Sequence, residues 1–293
     1  MPAVKALAVL LMTVLFMSAA HSRCMQQSLR IAVIPKTKQS ADDLVREYKP
    51  LLKLLGGRLQ VPVEIVPAPS YESVIDAVVS GGVDVAWLGP AAYVIAHQRD
   101  SRIEPFASLT ITPGYFTPAG HHYQALLLAR KGTAQSIDAL KNASVVLTDP
   151  ASTSGSVMPN VEFSRQVKQP LGSFFSSVAY SGSHEKSLDA LLDHKVDAAF
   201  VASVRADAYL SEGRIARDTF TVLWRSSPIF YDPFVFRGSL CQDMKKDIRA
   251  AMFGDSPELR AFLKSQSASG IARTVDADYL PLARVMGEDS AGR

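Results

Sequence analysis

The chain has 293 residues, 47% hydrophobic and 20% charged, with 31 basic against 28 acidic side chains and a formal net charge of +3. So near a balance, with no basic run, argues against nucleic acid as a partner. Cys24 and Cys241 are the only cysteines, too few for a disulfide framework or a cysteine metal cluster; in an oxidising compartment they would either pair or leave Cys24 as a free thiol. The six histidines show no metal-ligand spacing, so no metal or other cofactor is expected.

Residues 1–20 carry Lys5, an apolar run over 6–16 and then Ser18, Ala19 and Ala20. That pattern predicts a secretory signal peptide cleaved after Ala20. The run is short of the roughly 20 apolar residues of a membrane span, and no later segment approaches that length. Arg23 directly before Cys24 fits a lipoprotein anchor poorly, so a soluble exported protein is expected.

Beyond the signal, apolar runs alternate with amphipathic ones. A strand over 29–34 ends at Pro35. A helix over 41–55 follows, with Leu44, Tyr48, Leu51, Leu52 and Leu55 on one face, stopped by Gly56-Gly57. A strand over 61–66, a helix capped by Ser70 that buries Val74, Ile75, Val78 and Val79, and a strand over 83–88 complete the first series. This alternation predicts a parallel sheet covered by helices on both faces, with ligands off the carboxyl ends of its strands.

The pattern restarts with strands over 123–129 and 144–148, a short helix over 136–140 between them, and a helix over 154–167. It continues with a strand over 174–180, a helix over 184–194, a strand over 196–201 and a helix ending at Ser211. Apolar stretches at 219–224 and 234–236 follow, then mostly helix. Two α/β lobes are implied, because the mature chain exceeds a usual single-core domain.

At the end of the 144–148 strand, Asp149-Pro150-Ala151-Ser152-Thr153-Ser154-Gly155 puts three consecutive hydroxyls where a helix is expected to begin. One hydroxyl suffices for an N-cap. Three of them, added to helix-start amides that lack partners, make an anion site that needs no Arg or Lys. No nucleophile elbow, P-loop or metal-binding spacing accompanies them, so no enzyme activity is expected. A secreted phosphoester hydrolase using Asp149, His184 and Asp232 is the less favoured catalytic alternative.

The segment Asp149 to Gly155, together with Val83-Asp84-Val85-Ala86-Trp87-Leu88-Gly89-Pro90, Ser181-Gly182-Ser183-His184, Val196-Asp197-Ala198-Ala199 and the stretch from Leu223-Trp224 through Pro233, resembles the phosphate/phosphite/phosphonate periplasmic binding proteins of ABC importers. The similarity keeps this order from about Leu29 to Phe236. It implies a two-lobed α/β, Venus-flytrap (type II) fold. Lobe one would take 29–120 plus 226–293 and lobe two 121–225, with crossings near 120–124 and 225–234. The ligand set implied by the resemblance is Tyr71, Tyr123, Ser152, Thr153, Ser154, His184 and Asp232, holding a small oxyanion as lobes from opposite sides close. It also implies a monomer in the periplasm that serves an ABC permease. The alternative is a sensory binding protein of the same fold that docks on a sensor histidine kinase.

Two departures bear on the ligand. Val204 stands where relatives that bind an aminoalkylphosphonate have a glutamate, so a smaller or uncharged-tail oxyanion (phosphite, methylphosphonate or phosphate) is favoured over 2-aminoethylphosphonate. Phe230-Tyr231 replaces a smaller pair before Asp232 and is expected to narrow the pocket or add an aromatic wall. His121-His122 is expected to be exposed.

Overall fold

The structure, a computed structural model, describes residues 27–35 and 40–291. The predicted signal peptide and Cys24 lie outside the described residues. Cys241 is disulfide-bonded, and Cys24 is the other cysteine of the chain.

Two twisted sheets, one of six strands and one of five, carry the two lobes. The first contains β1 (Leu29–Val33), β2 (Val63–Val66), β3 (Val85–Trp87) and β4 (Glu104–Ile111), interleaved with α1 (Ala41–Leu59), α2 (Tyr71–Val79) and α3 (Pro90–Arg99). A two-strand ribbon between the sheets contains β5 (His122–Tyr123). The second sheet contains β6 (Ala125–Arg130), β7 (Ser144–Leu147), β8 (Ser177–Tyr180), β9 (Ala198–Ala202) and β10 (Phe220–Arg225). Its helices are α4 (Ser164–Val167), α5 (Leu171–Phe174), α6 (His184–Leu192) and α7 (Ser203–Ser211). The chain then returns through β11 (Ile229–Phe230), which pairs with β5, to β12 (Pro233–Phe236) of the first sheet. It ends with α8 (Gln242–Met252), α9 (Pro257–Ser265), β13 (Ala268–Arg273) and α10 (Leu280–Ala291).

Both sheets are mixed, a correction to the parallel sheet expected from the alternation. In the first sheet β1, β2 and β3 run parallel while β12 runs antiparallel to β3 and β4. In the second, β7 is parallel to β8 and β9 while β6 is antiparallel to β9 and β10. The cause is connectivity. Parallel strands of each lobe end at the cleft, and a chain that enters a lobe from the ribbon starts at that same end, so its first strand must run the other way.

Helices cover both faces of each sheet, and strand alternation divides the cores accordingly. Leu29, Ile31 and Val33 point into one cluster with Tyr48, Leu51 and Ile248, whereas Ala32 points into the other with Val74, Ile75 and Tyr93. Leu127 and Val145 face Phe163 and Phe200, whereas Leu126, Leu128 and Val146 face Leu188 and Tyr209. Each fully buried Leu, Ile, Val or Phe among them contributes about 1.5–3 kcal/mol relative to exposure.

Residues 153–167 depart from the ordinary helix expected there. The first turns are π-helical, Thr153–Val157 and Pro159–Phe163, and only Ser164–Val167 is α. Pro159 has no N–H to return to the Gly155 carbonyl four residues earlier, and that carbonyl accepts instead from the Thr148 amide at 3.0 Å. The helix start widens, with Val157 N–H bonding the Ser152 carbonyl at 3.0 Å. π-turns of this kind are concentrated at functional sites.

Candidate functional site

A cavity of about 770 Å³ lies between the lobes. Tyr71, Tyr123, Ser152, Thr153, Ser154, His184 and Asp232 all line it. Each stands at the end of a strand, the start of a helix or in the ribbon, the positions that face the cleft in this topology.

The hydroxyl cluster is built by the tight turn after β7. Ser152 caps the π-turn by accepting from the Gly155 amide at 3.1 Å. The three side chains are almost wholly buried, Ser152 and Ser154 at 1% exposure, so a polar partner there gains strength from the low local dielectric. The amides of Thr153 and Ser154, in the first turn, have no intrahelical acceptor by position. Thr153 Oγ1 accepts from the Ala91 amide at 2.8 Å. Ala91 belongs to the first turn of α3 in the opposite lobe, so two helix N-termini converge on this spot, both with the positive end of the dipole inward.

His184, the first residue of α6, is held in one tautomer. Its Nδ1 accepts from the Ala202 amide at 3.2 Å and lies 3.0 Å from Thr148 Oγ1. A nitrogen that accepts a backbone N–H carries no proton, which leaves the proton on Nε2. Nε2 faces the hydroxyls of Ser154 at 3.4 Å and Ser152 at 3.5 Å. Burial lowers the pKa to about 4, so the ring is a neutral, fixed donor at neutral pH.

The other lobe and the ribbon supply the remaining groups. Tyr71 opens α2, capped by Ser70, and points its hydroxyl at Ser152; its own amide faces the Asp149 carboxylate across the cleft. Tyr123 points at Ser154, Thr153 and Asp232, with its hydroxyl 3.4 Å from Asp232 Oδ1. Burial raises the phenol pKa of both tyrosines, which keeps them protonated donors. Burial also pushes Asp232 up to about 6, against the opposing pull of Arg205 and of the Tyr123 hydroxyl.

Tyr231 forms the aromatic wall expected at that departure: its ring stacks on Tyr123 with centroids 5.8 Å apart. His121 corrects the expected exposure. Its Nε2 lies 3.1 Å from Ser108 Oγ and its ring packs edge-on against Tyr231.

Several contributors carried no sequence signal of a role in the cavity. Trp87 lines the cavity, stacks on Phe234 and donates to the Asp232 carbonyl at 3.1 Å, which fixes the ribbon exit that carries Asp232. Thr148 orients His184. The Ala91 amide is backbone and leaves no trace in residue type. Arg205, on the first turn of α7, also lines the cavity. No group of three or more His, Cys, Asp or Glu side chains suited to a metal occurs among the described residues, nor does a helix long and apolar enough to cross a membrane.

A two-lobed α/β scaffold with donors converging from both sides on a cleft defines a solute-binding protein. The profile of the periplasmic substrate-binding proteins of phosphonate ABC transporters matches residues 31–279, and the chain belongs to that family. It is 26% identical over 274 residues to the phosphate-import protein PhnD of Mycolicibacterium smegmatis, covering 86% of this chain and 83% of that protein. It is 24% identical to the phosphonates-binding periplasmic protein of Escherichia coli, covering 91% and 78% respectively. In fold it is similar to a binding-protein component of a phosphonate ABC transporter from Pseudomonas aeruginosa, with a TM-score of 0.78 and 23% identity over 90% of this chain and 87% of that one. PhnD1 of Prochlorococcus marinus, solved with methylphosphonate, gives a TM-score of 0.74 and 17% identity over 89% and 98%.

Proposed function

We propose that this protein is an exported receptor that captures a small tetrahedral phosphorus oxyanion (phosphite, methylphosphonate or phosphate) between its lobes and delivers it to an ABC permease. In this reading 29–120 and 226–293 form one lobe and 121–225 the other, and Tyr71, Tyr123, Ser152, Thr153, Ser154, His184 and Asp232 are the ligand set. The observation that carries it is the meeting of these seven side chains, from both lobes and the ribbon, in one cavity.

The division of labour follows from their chemistry. Ser152, Thr153 and Ser154, the first-turn amides, neutral His184 Nε2–H and the two phenols donate to anionic oxygens. Asp232 accepts from a P–OH when ionised and so disfavours a fully deprotonated anion. His184 Nε2 carries its proton toward Ser152 and Ser154, so it is placed as a donor and not as a base that would activate them, which suits capture without turnover. Val204 lines the cavity as an uncharged side chain, consistent with a ligand that needs no counter-charge there.

Ser154→Ala and Tyr71→Phe each remove one donor and little volume. Loss of a donor to a charged ligand costs about 1.5–3 kcal/mol, roughly tenfold to a hundredfold in affinity. Titration calorimetry with methylphosphonate is expected to show that loss in both variants, with unliganded melting temperatures unchanged. Wild-type affinity in both would remove the hydroxyl cluster and Tyr71 from the site.

A further inference from the structure

Among the described residues, Arg205 and Arg214 are the cations that line the cavity. Arg214 is engaged: it donates to Asp189 Oδ1 at 2.6 Å and lies over the Tyr209 ring at 3.8 Å. Arg205 is different. Its guanidinium makes no hydrogen bond among the described residues, and its ion pair with Glu185 Oε1 is 3.8 Å long, beyond hydrogen-bonding range.

Arg205 is in the N-terminal turn of α7, where a positive charge opposes the helix dipole. The side chain is 31% exposed; the Glu185 and Asp232 carboxylates attract its charge, but its planar fork of five N–H donors has no hydrogen-bond acceptor among the described residues. The cavity also has room to spare: about 770 Å³ falls within the 300–1,000 Å³ of pockets that enclose whole organic ligands and exceeds what one tetrahedral anion fills. Glu47, at the far wall, already accepts from Gln266 at 3.3 Å.

We propose that Arg205 is a specificity residue that grips a second anionic group on the ligand, and that the preferred ligand class is a phosphonate whose short tail ends in a carboxylate. This rests on the proposed placement of the phosphorus oxyanion at Ser152–Ser154. The carboxylate takes two parallel N–H donors of the guanidinium, a geometry that lysine does not reproduce. Uncharged Val204, next in sequence, leaves the neighbouring wall without a counter-charge for an ammonium tail.

The test is calorimetry of the exported protein with phosphonoacetate, methylphosphonate and 2-aminoethylphosphonate. Wild type is expected to bind phosphonoacetate about tenfold or more tighter than methylphosphonate. Arg205→Gln is expected to erase that preference by weakening phosphonoacetate far more than methylphosphonate, and Arg205→Lys to restore it only in part. Equal affinity for the two ligands in wild type, equal weakening of both in Arg205→Gln, or tightest binding of 2-aminoethylphosphonate overturns the assignment of Arg205 while leaving the oxyanion site standing. Failure of wild type to bind any of the three overturns the oxyanion site itself.

Discussion

Gly155→Ala is expected to abolish oxyanion binding while leaving a folded, less stable protein. A Cβ at Gly155 would sit 2.2 Å from Thr148 Oγ1, 2.3 Å from Thr148 Cβ and 2.9 Å from Ser152 Oγ. No side-chain rotation relieves a clash with a neighbouring Cβ, so the turn must move away from β7. That movement breaks three linked contacts: the Gly155 carbonyl on the Thr148 amide, the Gly155 amide on Ser152 Oγ, and Thr148 Oγ1 on His184. Overpacking of this kind costs about 1–3 kcal/mol of stability. Displacing two or more donors to a charged ligand costs about 3 kcal/mol or more, over roughly a hundredfold in affinity. Circular dichroism and thermal melting report the fold, and calorimetry reports the ligand. Near-normal binding by Gly155→Ala would mean that the close approach of Thr148 and Gly155 does not shape the site.

The second large effect is on pH dependence. Asp232 has a pKa of about 6 in the folded protein against an ordinary 3.8, raised chiefly by burial. Between these values the folded chain holds a proton that the unfolded chain has released, so this carboxyl favours folding in acid and its contribution falls as pH rises from about 4 to 6. His184 does the opposite. Its pKa drops from 6.5 to about 4 on burial, so the unfolded chain binds the extra proton and stability rises with pH through much the same window. The two slopes oppose each other in the wild type.

Asp232→Asn removes the first slope alone. The variant is expected to be more stable than wild type at pH 7, on the order of 1–2 kcal/mol after allowance for partial solvation of the site, and to lose that advantage below about pH 4. Its stability should therefore climb with pH more steeply than wild type. A stability difference that stays constant from pH 4 to 7 would show that Asp232 ionises normally. Asp232→Asn should also bind fully deprotonated anions better relative to protonated ones, because the repelling carboxylate is gone.

Much of the fold was legible because its elements announce themselves locally. Ser70, Ser183 and Ser256 each accept from an amide of the helix they precede, and the alternation of 29–88 yields the first βαβαβ series. The elements that escaped lack contrast. The α3 sequence PAAYVIAHQR is buried over most of its first two turns and has no polar stripe to reveal a helical period. β4 is buried at most of its positions, so its alternation is hidden, and β13 opens with the small residues Ala268, Ser269 and Gly270 and has Ile271 as its one large apolar side chain. The antiparallel returns follow from the crossings, which are non-local.

The site divides in the same way. Three adjacent hydroxyls are a local signal, and Ser152, Thr153 and Ser154 line the cavity. That Tyr71, Tyr123, His184 and Asp232 join them from positions up to 161 residues apart in the chain, 71 to 232, followed only from the resemblance. The Ala91 amide and the Thr148 bond that fixes the His184 tautomer are products of packing. Arg205 carries no distinguishing signal in the sequence, because its place in the cavity and its lack of hydrogen-bond acceptors among the described residues exist only in three dimensions.

The most direct test of the account is a thermal-shift titration of the exported protein with phosphate, phosphite, methylphosphonate, 2-aminoethylphosphonate, phosphonoacetate and sulfate. A ligand at about 100 times its dissociation constant stabilises by about 2.7 kcal/mol, a rise of several degrees. The account predicts such a rise with one or more of the phosphorus oxyanions, none with sulfate, and its loss in Gly155→Ala. Stabilisation by sulfate alone, or by none of the six, would contradict a phosphorus-oxyanion receptor.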